Sequence, residues 1–144
     1  KKSSKNIVAD TQAVLKDFSS LYGSGTTKTP DVRLKNQLVS KETNEKHARM
    51  KQYYNGLEIV NKDIIAHTDE NGEIYQIDGQ YAPGINISTV PKISANEALN
   101  IGQKEFSLKK EFKVSEKPTL VIYPYASENL LAWRYIIEYN DPKE

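Results

Sequence analysis

The sequence predicts an α+β protein of two small lobes, each an antiparallel sheet packed with a helix. Three observations carry that expectation. Apolar residues recur at helical spacing near the N-terminus and again after Ser94, and period-two runs separated by turn signals fill most of the remainder. The strand–helix–strand alternation that builds parallel sheets does not occur. The expected division places residues 1–82 in the first lobe and 83–144 in the second.

The first helix is expected over residues 6–22. Ile7, Val8, Val14, Leu15, Phe18, Leu21 and Tyr22 recur every three or four positions and share one face. Gly23, Ser24 and Gly25 then supply C-cap and linker chemistry, and Pro30 closes a polar connector. Val32, Leu34, Leu38 and Val39 suggest a strand, followed by the polar stretch 41–46. In the next run Ala48, Met50 and Gln52 alternate with His47, Arg49, Lys51 and Tyr53, so the two sets face opposite ways. Asn55-Gly56 is a strong two-residue hairpin signal. A further strand is expected over 57–67, a turn at Asp69-Glu70-Asn71-Gly72, and another strand over 73–78. This part of the chain is an expected antiparallel meander.

Residues 80–91 carry Pro83, Gly84 and Pro91 and form the expected crossover between lobes. Ser94-Ala95-Asn96-Glu97 reads as a capping box, in which the Ser hydroxyl and the Glu carboxylate satisfy each other's backbone amides. A second helix follows through Ala98, Leu99 and Ile101, and extends toward Glu105 and Phe106. The charged stretch 109–117 is expected to be mobile. Residues 120–123 and 130–139 form two β-rich runs joined through 124–129, which gives a second hairpin.

Composition narrows the function. The chain has 144 residues, 20 basic against 19 acidic, for a formal net charge of +1. Val, Ile, Leu and Phe make up 34 of the 144 positions, above the roughly 20% below which disorder is the default. No long-range field is directed at nucleic acid or an anionic membrane, so neither is an expected partner. The absence of Cys excludes disulfides, thiolate metal sites and cysteine nucleophiles, without fixing the compartment. No apolar run approaches the ~18 residues of a membrane span. The first residues, Lys1 to Asn6, lead into no apolar signal-peptide segment.

Catalytic chemistry has little support. The two histidines, His47 and His67, lie outside any His-Glu-x-x-His pattern, and each is expected to be a hydrogen-bonded imidazole in a strand. Asp69 to Glu73 lacks the ligand order of a calcium loop and reads as a turn. No phosphate loop or serine nucleophile elbow occurs. Asn86-Ile87-Ser88 is a formal glycosylation sequon of a length that chance supplies. Tyr53, Tyr54, Tyr75, Tyr81, Tyr123, Tyr125, Tyr135 and Tyr139 fall in or beside expected strands. They either cover sheet faces or, with Trp133, form an interaction face.

The run His47-Ala48-Arg49-Met50-Lys51-Gln52-Tyr53-Tyr54-Asn55-Gly56, then Ile59 and His67 to Ile74, resembles the fungalysin/thermolysin propeptide (FTP) domain. The run Pro91 to Leu99, followed by Leu120 to Pro124 and Leu131-Ala132-Trp133-Arg134, resembles the PepSY domain that follows it in such propeptides. Glu58 departs from a usual Pro, Asn61-Lys62 replace a glycine-bearing pair, and 43–46 replace a Leu-Gly turn. Asn61 remains compatible with a left-handed backbone. The family pattern also carries further strands beyond the position of Glu144.

The resemblance implies a propeptide that assists folding of a thermolysin-like metallopeptidase and inhibits it, without enzymatic activity of its own. It implies a cystatin-like PepSY lobe, a secreted setting, and the cognate catalytic domain as partner. No cofactor is expected here, since zinc and calcium belong to that partner. His47, Arg49, Gln52, Tyr54, Gly56, His67, Trp133 and Arg134 carry the motif and are the candidate interface. The alternative is a free-standing extracellular module of the same folds that regulates a protease or binds a cell-envelope component.

Overall fold

A computed structural model describes residues 6–21, 28–105 and 112–139. The chain divides into two compact units, Lys1–Asn86 and Ile87–Glu144. The architecture is α+β, with antiparallel strands and two helices.

The first unit opens with α1 (Ile7–Leu21), capped by Asn6, whose Oδ1 accepts from the amides of Val8 and Ala9 at 3.1 and 3.3 Å. Four strands follow in a meander: β1 (Asp31–Val39), β2 (Lys46–Tyr54), β3 (Leu57–Thr68) and β4 (Ile74–Gly79). Each pairs antiparallel with the next. The expected faces of β2 are observed: Ala48, Met50 and Gln52 are buried. Met50 and Ala48 join Leu15, Val32, Ile64 and Ala66 in the core, with Ile7, Val8, Ile74, Ile77 and Tyr81 packed around them.

The helix meets the sheet on a different stripe from the expected one. Thr11, Leu15 and Ser19 are buried, whereas Val14 and Phe18 are 43% and 44% exposed and Leu21 is 83% exposed. The buried stripe follows i, i+4 spacing through Thr11, Leu15 and Ser19. The hydroxyls of Thr11 and Ser19 enter the core at low cost because each donates to its own i−4 carbonyl, Ile7 and Leu15. Gln12 donates to the Pro30 carbonyl at 2.9 Å and ties the helix to the start of β1. Tyr22 and the Gly23–Gly25 terminator lie outside the described residues.

The Asn55-Gly56 hairpin is present, with φ of 47° and 82°. Positive φ at both positions is the type I′ geometry whose twist matches the flanking strands. The β2–β3 ladder then shifts register between Lys51 and Tyr53. Asn61, with φ 59°, lies in β3 between Glu58 and Asp63, the stretch across which the register shifts, and supplies a left-handed residue there.

The second unit contains α2 (Ala95–Glu105), β5 (Phe112–Val114), β6 (Thr119–Tyr125), β7 (Glu128–Arg134) and β8 (Ile137–Tyr139). The capping box is formed in both directions. The Glu97 amide donates to Ser94 Oγ at 3.2 Å, and the Ser94 amide donates to Glu97 Oε2 at 2.7 Å. β6 and β7 form the expected hairpin. Two expectations are corrected. Within the stretch expected to be mobile, residues 112–114 form a strand, while 109–111 and Phe106 lie outside the described residues. The single run expected over 130–139 breaks at Tyr135 and Ile136, and β8 pairs with β5 instead. The break coincides with bonds to distant segments: the Tyr135 hydroxyl donates to the Ala95 carbonyl, and the Ile136 carbonyl accepts from the Ser115 amide.

Candidate functional site

Alternation along β2 sends two of the candidate residues, His47 and Arg49, to the sheet face opposite the core. Register with β3 brings His67 directly across from His47, and their Nδ1 atoms are 2.7 Å apart. The rings meet edge to face at a centroid distance of 4.9 Å. On β4, Asp78 places Oδ2 3.0 Å from His67 Nε2, without meeting hydrogen-bond geometry. Gln76, opposite His67, donates to both Asp78 oxygens at 2.9 and 2.8 Å and fixes the carboxylate.

The rest of this face is a set of paired charges. Arg49 lies 4.0 Å from Asp63, Lys51 pairs with Glu58, and Arg33 bonds Asp31 through two nitrogens while stacking 4.0 Å above the Tyr53 ring. The bond to Asp31 raises the Arg33 pKa further above its already high value. Glu58, the departure from the usual Pro, is the partner that makes Lys51 compatible with a half-buried position.

Gln52 points the other way. It is 5% exposed, donates to the Ala82 carbonyl at 2.7 Å and accepts from the Ala82 amide at 2.9 Å. It therefore pins the start of the crossover to the core. Gly56 occupies the second turn position, where a side chain would be strained, and Tyr54 is half-buried opposite Leu57.

In the second unit Trp133 donates from Nε1 to the Ile93 carbonyl at 3.0 Å. It lines a cavity of about 700 Å³ between α2 and the β6–β7 hairpin, with Val90, Ile93, Leu99 and Leu120. Arg134 is exposed opposite Thr119. The tyrosines divide: Tyr75, Tyr123 and Tyr125 are exposed, while Tyr53, Tyr54, Tyr81 and Tyr135 are half-buried. The side chain of Tyr139 lies outside the described residues.

The sequence reading kept the two histidines apart, and the structure brings them together. Tyr54 pairs with Leu57, so a straight ladder would have set His47 opposite Ile64. The register shift around Asn61 moves the partner to His67. Asp78 and Gln76 were likewise missed, because only the β3–β4 register places them beside His67. Among the described residues, no group of three or more His, Asp or Glu stands in a metal-binding arrangement.

Residues 31–81 match the family model of the Fungalysin/Thermolysin Propeptide Motif. Those bounds begin at β1 and end just past β4, so the match covers the whole meander. Bacillolysin of Brevibacillus brevis is 28% identical over 120 residues, covering 75% of this chain and 22% of the relative. Bacillolysin of Bacillus cereus is 24% identical over 98 residues, covering 65% of this chain and 17% of the relative. The chain thus spans about a fifth of the length of these relatives. Within the matched residues 31–81 lie His47, Arg49, Gln52, Tyr54, Gly56 and His67, whereas Trp133 and Arg134 lie outside them. No helix among the described residues is long and apolar enough to cross a membrane.

Proposed function

We propose that this chain is the non-catalytic propeptide part of a secreted thermolysin-like metallopeptidase. It binds the cognate catalytic domain, assists its folding and holds it inactive. The observation that carries this reading is the coincidence of the FTP match with the complete β1–β4 meander, together with alignments of 120 and 98 residues to two bacillolysins. Assistance in folding follows from mass action: a scaffold that binds the native catalytic domain and not its unfolded chain shifts the equilibrium toward the native state. Zinc and calcium belong to the catalytic domain in this reading. The second unit is the PepSY-like partner of the FTP domain, with Trp133 anchoring its hairpin to the segment before α2.

A refolding assay tests the folding role. A denatured bacillolysin-type catalytic domain, diluted with this chain, is expected to regain more activity after subsequent removal of the chain than when diluted alone. Equal recovery with and without the chain contradicts that role.

A further inference from the structure

The His47–His67 contact links β2 to β3 through side chains rather than backbone. A separation of 2.7 Å between two imidazole nitrogens needs one proton between them, donated by one ring and accepted by the other. His67 Nε2 is buried, has no hydrogen-bond partner among the described residues, and faces the Asp78 carboxylate. A carboxylate at that range favours hydrogen on Nε2, which leaves Nδ1 of a neutral His67 as acceptor and makes His47 the donor. The surrounding groups are few. β2 contributes Arg49, β3 contributes Asp63 as its counterion, β4 contributes Asp78 and the Tyr75 ring at 6.1 Å, and β1 contributes the uncharged Leu38 across from His47.

We infer that His47, His67 and Asp78 form an acid-sensitive clasp joining β2, β3 and β4. A single proton between the rings closes it. Protonating His47 at Nε2 leaves its Nδ1–H still donating, so a singly charged pair keeps the contact. When both rings are imidazolium, each Nδ1 carries hydrogen and two N–H groups meet head-on, so the contact must open. In the unfolded chain both histidines take up protons as pH falls through the ordinary imidazole range near ~6.5. The unfolded chain then holds one more proton than the clasped chain, and the folded state loses stability as pH falls. The limit is about tenfold in the folding equilibrium constant per pH unit for one proton. The inference stands on the first unit alone and holds whether or not a catalytic domain binds.

Urea unfolding of the full chain between pH 7.5 and 5 tests it, a window above the range where carboxylates titrate. The wild-type midpoint is expected to fall with acid, and the His47→Leu midpoint to stay level or rise. Parallel profiles for the two chains would overturn the clasp. Ring nitrogen NMR of the wild type decides the matter even where the variant does not fold. At pH 7.5 the clasp requires hydrogen on one Nδ1 and a bare Nδ1 on the other. Two protonated Nδ1 atoms with the native β2–β3 contacts retained, at any pH in the window, would also overturn it.

Discussion

The side chain of Gln52 pairs with the backbone of Ala82 as a neighbouring strand would, donating to its carbonyl at 2.7 Å and accepting from its amide at 2.9 Å. One side chain thus satisfies both polar groups of a residue that has left the sheet. Gln52→Ala would leave both Ala82 groups without their partner, at a cost of about 1–3 kcal/mol. The expected result is a lower urea midpoint and faster proteolysis within 80–90. Unchanged proteolysis in that stretch would show that the pairing does not hold the crossover.

Gly79 and Gly56 separate two reasons for glycine. At Gly79, φ is 108° and an added Cβ would sit 2.2 Å from the Asp63 carbonyl oxygen. At Gly56, φ is 82° and nothing lies within 4 Å of an added Cβ. Gly56→Ala should therefore cost only the left-handed backbone penalty of about 1–2 kcal/mol. Gly79→Ala must also displace backbone between β3 and β4, and should cost clearly more. Equilibrium unfolding of both variants checks the order, and equal losses would contradict it.

Ser94→Ala removes the cap of α2 and should lower stability by about 1 kcal/mol. A denaturant midpoint unchanged by the substitution would mean that the cap contributes nothing to the fold.

Two carboxylates predict a separate acid response. Hydrogen bonds from the Glu73 backbone, then from Asn71 and Gly72, hold the Asp69 pKa below its usual value. The Ser94 amide and hydroxyl do the same for Glu97. A depressed folded-state pKa stabilises the chain above the ordinary carboxylate range, and that contribution is lost as pH falls through it. Asp69→Asn should accordingly destabilise at neutral pH and change little at pH near ~2, where the native carboxyl is protonated. A loss of equal size at both pH values would show that charge at Asp69 is immaterial.

Much of the β1–β4 meander and the start of α2 were legible in the sequence, because local signals in both agree with the tertiary result. Alternation from Ala48 to Gln52, the Asn55-Gly56 turn and the Ser94–Glu97 box each act within a few residues. What escaped the sequence depends on partners far along the chain. The buried stripe of α1 runs through Thr11 and Ser19, whose hydroxyls look polar until bonded back to the helix. The His47–His67 pair depends on a register shift at Asn61, and no local pattern announces such a shift. The β5–β8 pairing joins three-residue strands with too few positions to show a period.

The proposed propeptide role requires that this chain bind a thermolysin-like catalytic domain. Titrating the full chain into a purified bacillolysin-type catalytic domain, with peptide hydrolysis and complex mass read on the same samples, tests it most directly. Saturable slowing of hydrolysis together with a one-to-one complex is the expected result. Hydrolysis unaffected at micromolar chain concentrations, with both proteins keeping their separate masses, would contradict it.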